Sequence, residues 1–384
     1  MNLKHLYSHS LKGMGDKLHF AAHSHHLWPD CVADGQNQYV QDAYRLADQK
    51  WEAAIKPVEN SVKASLADFL CIPNPNQICF ASNVHTLFFR LVSCFDLRKP
   101  LKILSTDSEF YSFSRQALRL SEYDNISIKE LNTIPFVDFK DRFIVEIKEN
   151  TYDMIYISQV FFNSGLVMDF IDEIILHASP DTMIIIDGYH AFGAIPTDLS
   201  KVHDRLFYLA GGYKYLQSGE GVCFMSVPTD SDKYRPLYTG WFAEFNELDD
   251  HKRIVNYAPD ASRFLGATTD PSGLYRMKSV FDVWEKNNIN IRQIHSHVVA
   301  LQNHFLSKLE SQSIFGLTTS DLIHEQEGVK SFGHFLTFRT AIAQQIQQKL
   351  SLLGILTDSR EDRLRFGFGM YHTIEDVDQL FDRL

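Results

Sequence analysis

The sequence predicts an α/β protein: a largely parallel sheet covered by helices, followed by a smaller α+β unit. Three observations lead there. Between about residues 77 and 228, short apolar runs alternate with amphipathic stretches, the pattern of helices laid on a mainly parallel sheet. Runs such as MIYIS and MIIID show no polar alternation, which suits strands covered on both faces. From about residue 270 the texture changes to long amphipathic helices and isolated strands.

Taken in order, QICFAS reads as a strand and NVHTLFFRLVSCF as a helix. LKILST is the next strand, with a helix from about Ser112, then strand ISIKEL and a helix over KDRFIVEIKEN. DMIYISQVFF, the helix DFIDEIILHA and TMIIIDGYH continue the alternation. RLFYLAG and GVCFMSV complete it, the last open to either strand direction. Beyond residue 270, GLYRMKSVFDVWEKNN and IRQIHSHVVALQNHFLSKLE are helical and HFLTFR is a strand. AIAQQIQQKLSLLG is a helix ended by Gly354, and RLRFGFG precedes a final helix over TIEDVDQLFDRL. The expected division is an N-terminal segment 1–60 packing on the small domain, a large domain 61–255 and a small C-terminal domain 256–384.

Composition narrows the function classes. The 384 residues are 45% hydrophobic and 22% charged, as in an ordinary globular protein. A net charge of −11 disfavours nonspecific nucleic-acid binding, which needs basic surface. Five cysteines form no CxxC pair and are odd in number, so reduced thiols are expected rather than a disulfide framework. No apolar run approaches bilayer-spanning length, and MNLKHLYSHSLKGMGD lacks the apolar core of a signal peptide. A cytoplasmic location is the expectation.

The chemistry concentrates in TMIIIDGYHAFGAIPTDLS (182–200) and LFYLAGGYKYLQSGEGV (206–222). Asp187 ends a buried strand, where a carboxylate is costly unless a cation meets it. A protonated pyridinium nitrogen is one such cation. Lys214 follows an apolar strand and two glycines. A lysine there is partly desolvated, which lowers its pKa and makes it a competent Schiff-base amine. Together the pair suggests pyridoxal 5'-phosphate, with Lys214 on its aldehyde carbon and Asp187 on its ring nitrogen. Taken singly, Asp187 capping a turn and Lys214 as a surface cation remain open.

DGYHAFGAIPTDL followed by GGYKYL resembles the cofactor core of fold-type I pyridoxal-phosphate enzymes of aminotransferase class V. The Tyr-Lys pair and the Asp-x-x-His arrangement point within that class to kynureninase. The resemblance runs nearly end to end and implies a large domain with a mainly parallel seven-stranded sheet. It also implies roles for individual residues. SNVHTLFFRL resembles the helix start that cradles the cofactor phosphate, with Asn83, Val84, His85 and Thr86 at the polar turn and Asn83 as N-cap. SEFYSFSRQ would make Phe110 the ring stacker. YTGWFAEF and RFLGATTDPSGL resemble segments that reach the phosphate from a neighbouring subunit, through Trp241 and Thr268 or Thr269. Hence a homodimer with sites at its interface is expected. LRFGFGMYHTIEDV is similar to the C-terminal kynureninase segment, whose Arg365 would fork onto the substrate α-carboxylate.

By the same resemblance Tyr213 would serve the cofactor phosphate and proton transfer, and His190 would sit close to Asp187 and the ring. The implied reaction starts when the substrate amine displaces Lys214, which then removes the α-proton as general base. It continues through a quinonoid to hydrolytic Cβ–Cγ cleavage, releasing alanine and an aromatic acid. The alternatives are a class V aminotransferase or another lyase on a different amino acid. A desulfurase using a late mobile cysteine is disfavoured, because no cysteine follows Cys223.

The chain also departs from the kynureninase pattern. Lys330-Ser331-Phe332-Gly333 stands for an Arg-Gly-Ser stretch, and Asn163 is out of register with the class V asparagine. His23-Ser24-His25-His26 replaces an Asn-Ser-Leu-Gly motif at the pocket mouth, ahead of a helix that Pro29 begins. Three imidazoles could instead serve a metallohydrolase, but His25 and His26 are adjacent and diverge, and spacing offers no carboxylate partner. No metal is expected. In an extended segment His23 and His25 share a side and face substrate, while His26 faces solvent or packs structurally.

Overall fold

The computed structural model describes residues 1–247, 254–329 and 331–384; Lys330 of the loosely matching stretch falls outside them. Seven strands form the central sheet: β1 (Ile78–Ala81), β2 (Leu101–Thr106), β3 (Ile126–Leu131), β4 (Met154–Ser158), β5 (Met183–Asp187), β6 (Leu206–Gly211) and β7 (Cys223–Ser226). Their spatial order is β1-β7-β6-β5-β4-β2-β3. All neighbours are parallel except β7, which runs antiparallel to both β6 and β1. The reason lies in the connection: residues 212–222 contain no helix to carry a parallel crossover. The direction of GVCFMSV, which sequence left open, is thereby decided.

All five residues of β4 and all five of β5 are buried. Alternate side chains feed two separate cores, with Ile155, Ile157, Ile184 and Ile186 on one face and Met154, Tyr156, Met183 and Ile185 on the other. Each such apolar side chain contributes roughly 1.5–3 kcal/mol of transfer free energy. With both faces occupied, no polar alternation is tolerated in these two strands, and Ser158 and Asp187 stand at their ends. Ser158 pairs in register with Asp187 at those carboxyl ends, where sites form in open α/β sheets.

A third core includes Phe305, Phe338, Leu364 and Phe366. It lies under a three-stranded antiparallel sheet of β8 (Phe335–Arg339), β9 (Asp358–Arg360) and β10 (Arg363–Gly367), in the order β9-β10-β8. Leu18–His19 runs parallel to Ile355–Leu356 beside this sheet. Farther along, the helix Cys31–Leu46 packs on Ser272–Lys286, where Tyr275 donates to Asp42 at 3.2 Å. Local sequence sets the helix starts: Asn290 with Gln293 and Thr373 with Asp376 form capping boxes. Among the described residues no helix is long and apolar enough to cross a membrane.

Candidate active site

Asp187 is the last residue of β5 and is buried. Its Oδ2 accepts from the Tyr156 hydroxyl at 2.7 Å and its Oδ1 from the Tyr189 backbone N–H at 2.9 Å. Burial pushes its carboxyl pKa up, against those two hydrogen bonds and the Lys214 charge. Gly188 follows because a Cβ there would lie 2.0 Å from the Tyr208 ring.

Lys214 lies in the loop after β6 and is also buried. Its Nζ donates to the His23 carbonyl at 3.2 Å and lies 2.5 Å from His190 Nε2. The rings of Phe110, Tyr213 and Tyr189 stand 5.6, 5.6 and 5.7 Å from it. Burial and then the Arg365 charge lower its pKa to about 7, with Asp187 and Asp358 opposing. His190 is driven well below its ordinary value by burial and then by Lys214, which keeps its imidazole neutral beside the amine. His190 thus meets the lysine amine directly.

One consequence is a pH dependence. The pKa of this amine is depressed, so the nucleophilic free base exists above about pH 7 and is lost below it. Covalent loading of the apoprotein with pyridoxal phosphate should quicken from pH 6 to 8 and level off above. Stopped-flow absorbance would check this; a rise centred near pH 10 would mean an unshifted lysine.

The remaining residues of the site come from the small sheet and the N-terminal segment. Arg365 on β10 is buried; its Nη1 donates to the Phe162 carbonyl at 2.5 Å and its Nη2 pairs with Asp358 of β9. Burial works against the Asp358 charge, but His23 and Arg365 hold its carboxyl well below the usual range. His23 is fully buried, stacks on Phe335 at 4.7 Å and places Nε2 3.5 Å from Asp358. It fits there because Gly367 has no side chain; a Cβ would lie 2.2 Å from the imidazole.

The extended reading of the histidine segment is corrected. Residues 21–25 form a turn, with the N–H groups of Ser24 and His25 both donating to the Ala21 carbonyl. The three rings therefore enter different surroundings. His23 is buried beside Arg365, His25 is exposed with its ring 5.6 Å from Tyr213, and His26 is buried against Tyr371 at 5.0 Å. Sequence periodicity fails because a turn does not alternate sides. Among the described residues no group of His, Cys, Asp and Glu could hold a metal ion.

At the helix Val84–Val92, Asn83 is the N-cap; its Oδ1 accepts from the Thr86 N–H at 2.8 Å and the Thr86 hydroxyl at 2.9 Å. His85 is exposed and bonds Gln116 at 2.9 Å. Thr269 lines a groove with Ser82, Gly221 and Asp270 of its own chain. Thr268 is exposed, and Trp241 is half-exposed against Phe242 and Phe245. Asn163 donates to Ser108 at 3.0 Å.

Two contributors were missed in the sequence. Tyr156 sits inside an apolar strand with nothing to mark its hydroxyl. Glu109, by contrast, comes three residues after the strand LKILST, much as Asp187 ends the strand MIIID. It is buried and accepts from Thr106 at 2.7 Å and from the Ser158 hydroxyl at 2.5 Å. Burial raises its pKa to about 8. A carboxylate just past an apolar strand was the available signal.

These residues fit pyridoxal phosphate. Asp187 is a buried carboxylate whose hydrogen bonds come from neutral donors, a situation that a pyridinium nitrogen would complete. Lys214 offers a buried amine near neutrality, and the capped helix start offers backbone N–H groups for a phosphate.

Comparison with known proteins agrees. The family model "Aminotransferase class-V" matches residues 26–380. A search of curated protein sequences gave no significant match. Among solved structures, a lysine-to-alanine mutant of the cystine C–S lyase C-DES, with glycine covalently linked to its PLP cofactor, superposes with a TM-score of 0.82 at 16% identity. The match covers 100% of this chain and 99% of that one. The apo cysteine desulfurase of Thermococcus onnurineus NA1 gives 0.78 at 15%, covering 100% and 97%. The Escherichia coli cysteine desulfurase CsdA gives 0.76 at 14%, covering 99% and 96%. At such identities the likeness shows the fold, and these neighbours are not kynureninases. The α/β architecture is that of fold type I, and the chain belongs to the class-V aminotransferase family of pyridoxal-phosphate-dependent enzymes.

Proposed function

We propose that this enzyme cleaves the Cβ–Cγ bond of an aromatic amino acid by hydrolysis, in the manner of the kynureninases that its sequence resembles. The observation that supports this best is the wall of rings around the reactive amine. Phe110, Tyr189 and Tyr213 stand within 5.6–5.7 Å of Lys214 Nζ, and Phe162 packs on Phe110 at 5.2 Å. Such a wall suits an aromatic side chain.

Pyridoxal phosphate, when bound, supplies an electron sink beside the substrate's α-carbon. Asp187 would hold the ring nitrogen protonated, and Asn83, Val84, His85 and Thr86 would hold the phosphate, with Tyr213 as a further contact. Trp241, Thr268 and Thr269 would serve the phosphate from a second subunit, their exposure leaving them free to do so. Phe110 would stack on the ring. Lys214, once freed, takes the α-proton as a neutral amine, and His190 at 2.5 Å is placed to pass that proton on. Arg365 would receive the substrate α-carboxylate in exchange for Asp358, with His23 and His25 bordering the entrance. The cysteine nucleophile of a desulfurase has no counterpart here: burial pushes the Cys223 thiol, behind Tyr189, up to about 12.

The test is a titration of the holoprotein with kynurenine, 3-hydroxykynurenine and a panel of amino acids. Alanine and an aromatic acid should be released. Accumulated pyridoxamine phosphate would instead mean transamination, and pyruvate from cystine would mean C–S cleavage. In light scattering the same sample should weigh twice the 44.2 kDa chain; a fully active monomer would refute the shared site.

A further inference from the structure

Two arginines of the small sheet face Lys214, and they differ in one respect. Arg365 is engaged by Asp358 and the Phe162 carbonyl. The side chain of Arg360, on β9, forms neither a hydrogen bond nor an ion pair among the described residues, whereas in Arg365 only Nε is left without a partner. A guanidinium presents five donors and stays charged, so leaving one unpaired beside a second arginine is unfavourable. Its charge acts on Lys214, His190, Tyr213 and Arg365, which puts it on the pocket side of β9.

What surrounds Arg360 indicates the ligand. Its guanidinium carbon lies 5.7 Å from the Tyr111 ring. Tyr111 meets Phe110 at 5.5 Å and Phe162 at 5.6 Å. Phe110 in turn lies 5.6 Å from Lys214 Nζ. An unbroken run of rings thus leads from the reactive amine to a cation with no anionic partner among the described residues. The pattern matches a flat apolar body that ends in an anion.

We infer that Arg360, with Tyr111, Phe110 and Phe162, forms a subsite for an aromatic carboxylate, separate from the Arg365 position. This deepens the proposed cleavage and rests on that reading: the product's carboxylate forms from the γ-carbonyl at the severed bond, so the released aromatic acid would occupy the subsite turned about, with its carboxylate swung from the reaction centre to Arg360. Arg360 acts as a binding residue: it fixes the carboxylate through paired N–H donors, while the rings take up the aromatic plane.

The experiment is calorimetric titration of the holoprotein with benzoate, benzamide and acetate. Benzoate should bind at least tenfold more tightly than either of the others, because benzamide lacks the charge and acetate lacks the ring. Arg360→Gln should weaken benzoate at least tenfold and Arg360→Lys less, with the cofactor still covalently attached in both. Tyr111→Ala, on the other wall, should also weaken benzoate. Equal binding of benzamide, or benzoate binding indifferent to Arg360→Gln, would overturn the subsite. Loss of benzoate binding in Arg365→Gln but not in Arg360→Gln would overturn it too. The two proposals fail separately. Benzoate binding that needs Arg360, without kynurenine cleavage, removes the reaction and keeps the subsite. Cleavage with benzoate indifferent to Arg360 does the reverse.

Discussion

Lys214→Ala should abolish covalent attachment of the cofactor and lower turnover by on the order of 10²–10⁴, the range for loss of a positioned general base. After borohydride treatment, mass spectrometry should find a cofactor adduct on the wild-type chain and none on the variant. The fold should survive, because the amine contributes no packing that the sheet requires and its burial is itself costly. Circular dichroism would show this. The residues that receive Nζ, the His23 carbonyl and His190, keep their places through other contacts: both rings pack on Phe335. An adduct persisting at another lysine, or full turnover in the variant, would remove Lys214 from the centre of the chemistry.

Asp187→Asn carries the second largest effect. The substitution keeps the size and hydrogen-bonding reach of the side chain but removes the charge that a pyridinium nitrogen requires. With preorganised electrostatic stabilisation lost from a buried site, turnover should fall by about 10²–10³. Cofactor attachment to Lys214 should persist, because the amine is a separate group on a different strand end. Tyr156, whose hydroxyl donates to Oδ2 at 2.7 Å, holds the carboxylate in position. The Asn carbonyl can accept the Tyr189 N–H while its amide N–H donates to the Tyr156 hydroxyl, which can reverse its role, so the structure should change little. A variant with unaltered turnover would show that Asp187 acts only as a turn-former. The absorbance maximum of the bound cofactor should shift with ring protonation, a readout that a purely structural role would not move.

Much of the sheet was legible in the chain because burial on both faces writes itself into composition. MIYIS and MIIID suit interior strands covered on both faces, and the carboxylate that ends the second run marks the carboxyl end of its strand. The same logic applies to Lys214 after two glycines. Glu109 carried an equal signal and was overlooked, whereas Tyr156 carried none, because a tyrosine inside a strand looks like any other core ring. The histidine segment was misread for a different reason. Its backbone turns on the Ala21 carbonyl, and local periodicity cannot report a turn whose residues are sorted by contacts with β8, β10 and Tyr371.

The sequence by itself determined the layered α/β class, the helix starts with their capping residues and the cofactor, and it singled out Asp187 and Lys214 as candidates to hold it. The class and the helix starts follow from local burial and local hydrogen bonding, and the cofactor from the resemblance to aminotransferase class V. The tertiary structure alone decided that β7 runs antiparallel, that His190 meets the lysine amine and that His23 lies against Asp358. It also decided that Arg365 is paired with Asp358 while the Arg360 side chain has no ion pair among the described residues. Those outcomes depend on which distant segments share a pocket. The charge state and partners of a buried group are set by neighbours hundreds of residues away, as Lys214 with His23 and Phe162 with Arg365 illustrate.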